Sequence, residues 1–199
     1  MNADFDYWFK ANFQAGLAIC NRFDTMYIAL NRLLQKPNPC IVETGVMRAA
    51  DNWHDGKSTL VFGCYSKKYN GITYTVDIDA NAMEICKKAT CQVADYIEYT
   101  VADSVTYLKN FNGKIDLLYL DSMDCPDSDE LNTPALITSQ KHQYNEIEAA
   151  FNKLAAGAIV LLDDNDRMNG GKTKLSKLFL QQNGFTELIS WRQSLWVRN

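Results

Sequence analysis

The chain reads as an α/β protein built on a mostly parallel sheet with helices on both faces. From Cys40 onward, short apolar runs alternate with helix-length segments, the pattern of repeated strand–helix units. Two of those runs, Ile115-Asp-Leu-Leu-Tyr-Leu-Asp121 and Ala158-Ile-Val-Leu-Leu-Asp-Asp-Asn165, end abruptly in acids. That is the composition of a parallel strand buried on both faces. The last two runs are only a few residues apart, which forces a hairpin and makes one of them antiparallel.

The elements follow in order. Apolar residues at Phe5, Trp8 and Phe9, then Leu17, Ile19 and Cys20, then Phe23, Met26, Tyr27 and Leu30 predict helix over Phe5–Leu34, ended by Pro37 and Pro39. This apolar face suits either covering the sheet or pairing with a second subunit in a homo-oligomer. Cys40–Thr44 is the first strand. A polar loop carries Gly45, Asp51, Asp55 and Gly56, and Ser58 caps a helix to about Tyr69. Gly71 breaks that helix before the second strand, Ile72–Asp77. Asp79 or Asn81 starts a helix to about Cys91, and Tyr96–Val101 is the third strand. Asp103 or Ser104 starts a helix ending near Gly113, and Ile115–Leu120 is the fourth strand. A polar loop over 121–139, containing Pro126 and Pro134, is long enough to act as a lid or substrate loop. Gln140–Leu154 reads as helix. Gly157 precedes the fifth strand, Ala158–Leu162. Lys172–Gln182 is helical, and Phe185–Ile189 and Ser194–Val197 form the closing hairpin.

With 199 residues the chain suits one domain, a helical cap over 1–36 and a core over 40–199. A net charge of −4 with no run of Lys or Arg disfavours a nucleic-acid partner. No apolar run approaches the ~20 residues of a membrane span. With no leader signal in the first ten residues, the expected location is the cytoplasm. The six cysteines lack a C-x-x-C pair and read as reduced thiols.

The strand ends carry the chemistry. Ligands of open α/β sheets bind at carboxyl ends of strands. Glycine at 45 lets the first loop approach a ligand closely, and the helix starting at Ser58 points free N–H groups at the same space. Asp77 ends the second strand, where a carboxylate can accept hydrogen bonds from both hydroxyls of a ribose. A compact G-x-G-x-x-G is missing after the first strand, which weighs against a dinucleotide. Asp121, Asp163, Asp164 and Asn165 together offer oxygen ligands to a hard cation such as Mg²⁺.

This layout, over 40–199, resembles the class I S-adenosylmethionine-dependent methyltransferases, most closely the small metal-dependent O-methyltransferases of the catechol and natural-product-sugar types. The resemblance implies a three-layer Rossmann-like sandwich with seven strands in the order 3-2-1-4-5-7-6, strand 7 antiparallel. It also implies that the cofactor is S-adenosylmethionine, held by Glu43, Gly45, Arg48, Gly56 and Ser58 at its methionine end. Asp77 would hold the ribose, Asp103 and Ser104 would lie by the adenine, and Asp121 would also be among the cofactor-binding residues. The catechol-type pattern places a metal on Asp121, Asp164 and Asn165, and the sugar-type pattern on Asp121, Asp163 and Asp164. The enlarged loop over 48–55 departs from the family's compact glycine motif. The catechol-type lysine three residues after the first metal acid is here Asp124, which with His142 is a candidate general base. The expected activity is methylation of a hydroxyl on a small molecule. The competing readings are a nicotinamide-dependent oxidoreductase and a non-catalytic cofactor-binding module. The string Gly170-Gly171-Lys172-Thr173 lacks the full phosphate-loop spacing and reads as a solvated helix start.

Overall fold

The computed structural model describes residues 2–54, 57–126 and 133–199, with backbone alone at 168 and 169. Seven strands form one sheet, β1 (Cys40–Thr44), β2 (Ile72–Asp77), β3 (Ile97–Val101), β4 (Ile115–Leu120), β5 (Leu154–Leu162), β6 (Phe185–Ser190) and β7 (Ser194–Arg198), in the order β3-β2-β1-β4-β5-β7-β6. β1 to β5 pair in parallel, and β7 runs antiparallel to both β5 and β6. The helices are α1 (Ala3–Ile19), α2 (Phe23–Leu33), α3 (Ser58–Tyr69), α4 (Ala80–Ala89), α5 (Ser104–Asn110), α6 (Pro134–Ala150) and α7 (Lys174–Gln182). This is the expected strand order and direction.

Strand alternation sends successive side chains to opposite faces. Ile41, Leu117, Tyr119, Ile159 and Leu161 pack with Phe5, Phe9, Leu17, Met26 and Leu30 of α1 and α2 and with Phe62 of α3. Val42, Leu118, Leu120, Val160 and Leu162 pack with Leu108, Ile147 and Leu180 of α5, α6 and α7. The apolar face of α1 is therefore buried within the chain itself.

Three boundaries differ from expectation. The N-terminal helix breaks after Ile19, where Asn21 takes φ 56°, a left-handed conformation that asparagine tolerates. The helix after the long loop starts at Pro134, with Thr133 accepting from the Leu136 N–H at 3.2 Å. Proline suits the first helical turn, so Pro134 starts a helix where it suggested loop. β5 begins at Leu154 and runs through Gly157 at φ +68°, with a register shift against β4 between Ile115 and Leu117. A glycine inside a strand marks such an irregularity.

Candidate active site

The parallel register brings the tips of β2, β1, β4 and β5 into one row. Gly45 N–H donates to Val76 O at 2.9 Å, Asp121 N–H to Thr44 O at 3.0 Å, and Asp163 N–H to Leu120 O at 3.2 Å. Gly45 is required here twice over. Its φ is +85°, and a Cβ would lie 2.3 Å from the Asp121 carbonyl oxygen.

Three adjoining spaces lie along this row. A cavity of about 510 Å³ is lined by Asp77, Ile78, Asp103, Ser104, Ser122, Met123, Asp124 and His142. It shares Asp77, Ser122 and Asp124 with a narrow cleft that also touches Gly45, Val46, Arg48, Ser58 and Asp121. The cleft shares Arg48, Asp121 and Asp124 with a cavity of about 370 Å³ that also touches Arg22, His54, Cys125, Asp164, Arg167 and Arg192. Asp77 and Asp164 thus lie at the two ends of a continuous crevice, with Asp121 between them.

Asp77 accepts from the Val46 N–H at 3.0 Å and the Asp79 N–H at 2.8 Å, one on each oxygen. Each oxygen keeps a lone pair for a ligand hydroxyl. Asp103 caps α5 by accepting from Thr106 N–H at 2.8 Å, and hydrogen bonding to the Thr106 hydroxyl, then to this N–H, lowers its pKa. Ser58, expected as a helix cap, is the first residue of α3 instead, with Lys57 at the cap position. Arg48 reaches across the cleft to Asp124 at 2.8 Å and ties the first loop to the loop after β4. Gly56 lies outside the described residues.

Glu43 departs from its expected role. It is fully buried, behind the cleft, where Oε2 accepts from the Thr59 hydroxyl at 2.6 Å and the Thr75 hydroxyl at 2.9 Å. Oε1 has no hydrogen-bond partner among the described residues. Burial pushes its carboxyl up to about 7, against hydrogen bonds from Ser58, Thr59 and Thr75 that favour the charged form. The alternation that buries Glu43 turns it toward α3 and β2, so it ties β1 to those elements instead of lining the crevice.

His142 bonds Ser104 Oγ at 3.1 Å and Ser122 Oγ at 3.0 Å, with Glu146 at 3.5 Å. Glu146 raises its pKa and burial opposes this. The imidazole therefore faces the Asp103 end of the crevice, not the 370 Å³ cavity, and this placement weighs against its expected role as the base.

At the β5 end, one oxygen each from Asp121, Asp163 and Asp164 lies within 4.8 Å of the others. These are the expected metal acids, but cations of the protein hold them. The Arg22 guanidinium grips Asp163 through Nε at 2.7 Å and Nη2 at 3.1 Å. Asp163 also accepts from Gln193 Nε2 at 2.7 Å and from the Tyr119 hydroxyl. Burial would raise the Asp163 pKa, but Arg22, with Arg192 and Lys172, outweighs it and holds the carboxyl well below the usual range. Lys172 Nζ lies 2.7 Å from Asp121 and 3.0 Å from Asp164, and Arg192 Nη2 lies 2.6 Å from Asp164. Burial, then Asp163, push the Asp121 carboxyl up to about 6 against the pull of Lys172. Asn165 turns elsewhere: its amide nitrogen donates to Ser190 Oγ and the Trp191 carbonyl, and its oxygen accepts from Thr173 and Lys177. Lys172 bridges Asp121 and Asp164, Arg22 grips Asp163, and Arg192 holds Asp164 while also pairing with Asp166 at 3.0 Å, so protein cations occupy the donor set and it does not fit Mg²⁺.

Arg22, Lys172, Arg192 and Gln193 were missed by the sequence reading. Lys172 is 1% exposed, where the sequence suggests a solvated helix start. The available signal was the Gly-Gly pair before it. Gly171 lies at φ +53°, and a Cβ there would be 1.9 Å from the Asp164 carbonyl oxygen. The pair lets the segment dip onto the strand end.

A family model described as a methyltransferase domain matches residues 53–165. No curated protein sequence matches the chain. Among solved structures, a methyltransferase of Podospora anserina with bound S-adenosylhomocysteine is 13% identical, with a TM-score of 0.63 over 98% of this chain and 86% of that one. An S-adenosylmethionine-dependent O-methyltransferase of Thermotoga maritima is 14% identical, with a TM-score of 0.59 over 88% and 64%. An rRNA methylase of Streptococcus thermophilus is 13% identical, with a TM-score of 0.56 over 87% and 94%. Likeness at these identities establishes the fold and does not choose the acceptor. Among the described residues, no helix is long and apolar enough to cross a membrane. With the family model covering more than half of its residues, the chain belongs to the methyltransferase-domain family and has the class I S-adenosylmethionine-dependent methyltransferase fold.

Proposed function

We propose that the chain is a single domain that methylates a hydroxyl of a small molecule, using S-adenosylmethionine bound along the Asp77–Asp121 part of the crevice. The observation that carries this reading is the continuity of the three spaces: a site for a nucleoside joins a second cavity through a cleft bordered by Asp121 and Asp124. The residues suit the cofactor. Asp77 has acceptor capacity for ribose hydroxyls, Gly45 keeps the loop clear of side-chain atoms, and Asp103, Ser104 and His142 border the adenosine end. When bound, the cofactor supplies an electrophilic sulfonium methyl group. The protein's part is to hold the acceptor oxygen in line with that methyl, and much of the rate can come from such positioning. Asp124 borders all three spaces and is assigned as the base that takes the hydroxyl proton. No step runs through a metal ion. A cavity of about 370 Å³ and a net charge of −4 favour a small acceptor over nucleic acid.

Labelled-methyl transfer tests the reading directly. Small hydroxylated acceptors are expected to take up label, and RNA transcripts are not. Label appearing only in RNA, or only on amines, would overturn it. In calorimetry, Asp77→Ala is expected to weaken S-adenosylmethionine binding about ten- to hundredfold, the loss of hydrogen bonds to a charged group. Unchanged affinity would remove Asp77 from the ribose site. Asp124→Asn is expected to lower kcat by a factor on the order of 10²–10⁴, with cofactor affinity retained. Wild-type turnover in that variant would exclude the base assignment.

A further inference from the structure

We infer that the Lys172 ammonium holds the cation position of the acid cluster, so that the site carries a built-in positive charge where a divalent ion would otherwise bind. The inference adds to the functional reading without depending on it, because its test reads ion binding and not methyl transfer.

The argument begins with the ammonium's partners. Nζ lies 2.7 Å from Asp121 Oδ1, 3.0 Å from Asp164 Oδ2 and 2.9 Å from the Met123 carbonyl oxygen. Three acceptors match the three donors of an ammonium group. Two carboxylates and a carbonyl are also the oxygen donors that a hard cation selects. An ion bonded to the same two carboxylate oxygens would need the space Nζ fills, so the two are mutually exclusive.

The remaining oxygens of the cluster are also engaged. Asp121 Oδ2 lies 3.1 Å from the Tyr119 hydroxyl oxygen, whose one proton goes to Asp163, and 3.9 Å from Arg22 Nη2, and Asp164 Oδ1 pairs with Arg192. Both Asp163 oxygens are held by Arg22, with Gln193 on one of them and the Asp164 N–H on the other. A metal approaching any of the three carboxylates would meet a protein cation already bound to it.

The lysine is delivered by a fixed segment. Gly171 packs its Cα against the Asp164 carbonyl, and its own carbonyl accepts from Gln140 Nε2 at 2.9 Å. On the other side, Thr173 Oγ1 donates to Asn165 Oδ1 at 2.9 Å. Both neighbours of Lys172 are thus tied down, and its side chain is 2% exposed. A surface lysine swinging onto a convenient acid would show neither feature.

The test titrates the full-length protein with Mn²⁺, followed by paramagnetic resonance and by thermal unfolding, with EDTA as the blank. The wild-type protein is expected to show no saturable Mn²⁺ binding and no shift of its unfolding midpoint. Lys172→Ala exposes two carboxylate oxygens and the Met123 carbonyl. It is expected to have a lower midpoint in EDTA and to gain saturable Mn²⁺ binding that raises the midpoint again. Adding Asp164→Asn to that variant is expected to remove the gain. Saturable binding to the wild-type protein that Asp121→Asn or Asp164→Asn abolishes would overturn the inference. So would a folded Lys172→Ala protein that stays blind to Mn²⁺. If Lys172→Ala does not fold, the wild-type titration decides alone.

Discussion

Asp163→Ala is expected to lower the free energy of unfolding by about 3–5 kcal/mol, the cost of breaking a buried ion pair from one side. The Arg22 guanidinium is 3% exposed and would lose both of its short bonds to Asp163. The fully buried Tyr119 hydroxyl and Gln193 amide would lose an acceptor as well. The measurement is urea unfolding, read as a fall in midpoint at constant slope. A double-mutant cycle separates pair from orphan. Arg22→Met combined with Asp163→Ala is expected to lose less than the sum of the single changes, because no unpaired buried charge remains. A loss under about 1 kcal/mol for Asp163→Ala would show that the pair does not hold the strand tip. The position matters because Arg22 stands where α1 gives way to α2. Its bond to Asp163 ties the junction of the N-terminal helices to the crevice, beside the apolar packing that holds α1 and α2 on the sheet.

The second large effect is a pH dependence set by Glu43. Its folded-state pKa of about 7 lies above the ordinary 4.5, so between these the native state binds a proton that the unfolded chain has already released. Stability attributable to this group is full below about pH 4.5, falls as pH rises, and levels off above about pH 7. The total loss is on the order of 3 kcal/mol, from 1.36 kcal/mol per pKa unit. Glu43→Gln has no proton to lose. Measured from pH 4 to 8 by urea unfolding, the stability difference between Glu43→Gln and wild type is expected to shift in favour of the variant through that window. Parallel profiles would mean that the carboxyl is not held neutral. The physical reason is simple. The carboxyl is fully buried, and the hydroxyl hydrogen bonds it accepts do not offset the cost of burying its charge.

The strands were legible because composition and periodicity are local. Ile115–Leu120 and Ile72–Asp77 could be bounded from their apolar residues and the punctuation around them. Helix starts were harder where one residue type serves two purposes. Pro134 both closes loops and opens helices, and only the Thr133 cap distinguishes them. Gly157 marked the start of a strand in the sequence and proved to lie inside one, because a register shift against β4 absorbs it. Of the crevice, the residues at strand ends were legible, since a carboxylate ending a buried strand has few places to be. Asp77 and Asp121 lie there for that reason.

What surrounds those acids was not legible. Arg22, Lys172 and Arg192 come from segments 141, 51 and 28 residues away from the carboxylates they meet, and no local pattern joins them. A lysine after two glycines looks the same in sequence whether it points to water or into a buried cluster. The sequence by itself determined the strand order, through its similarity to a known architecture, and the acids at the strand tips, through hydrophobic patterning. Only the tertiary structure decided how those acids are neutralised. Charge compensation is a property of distances across the fold, and the energy of an ion pair depends on separation and burial, which chain order does not encode.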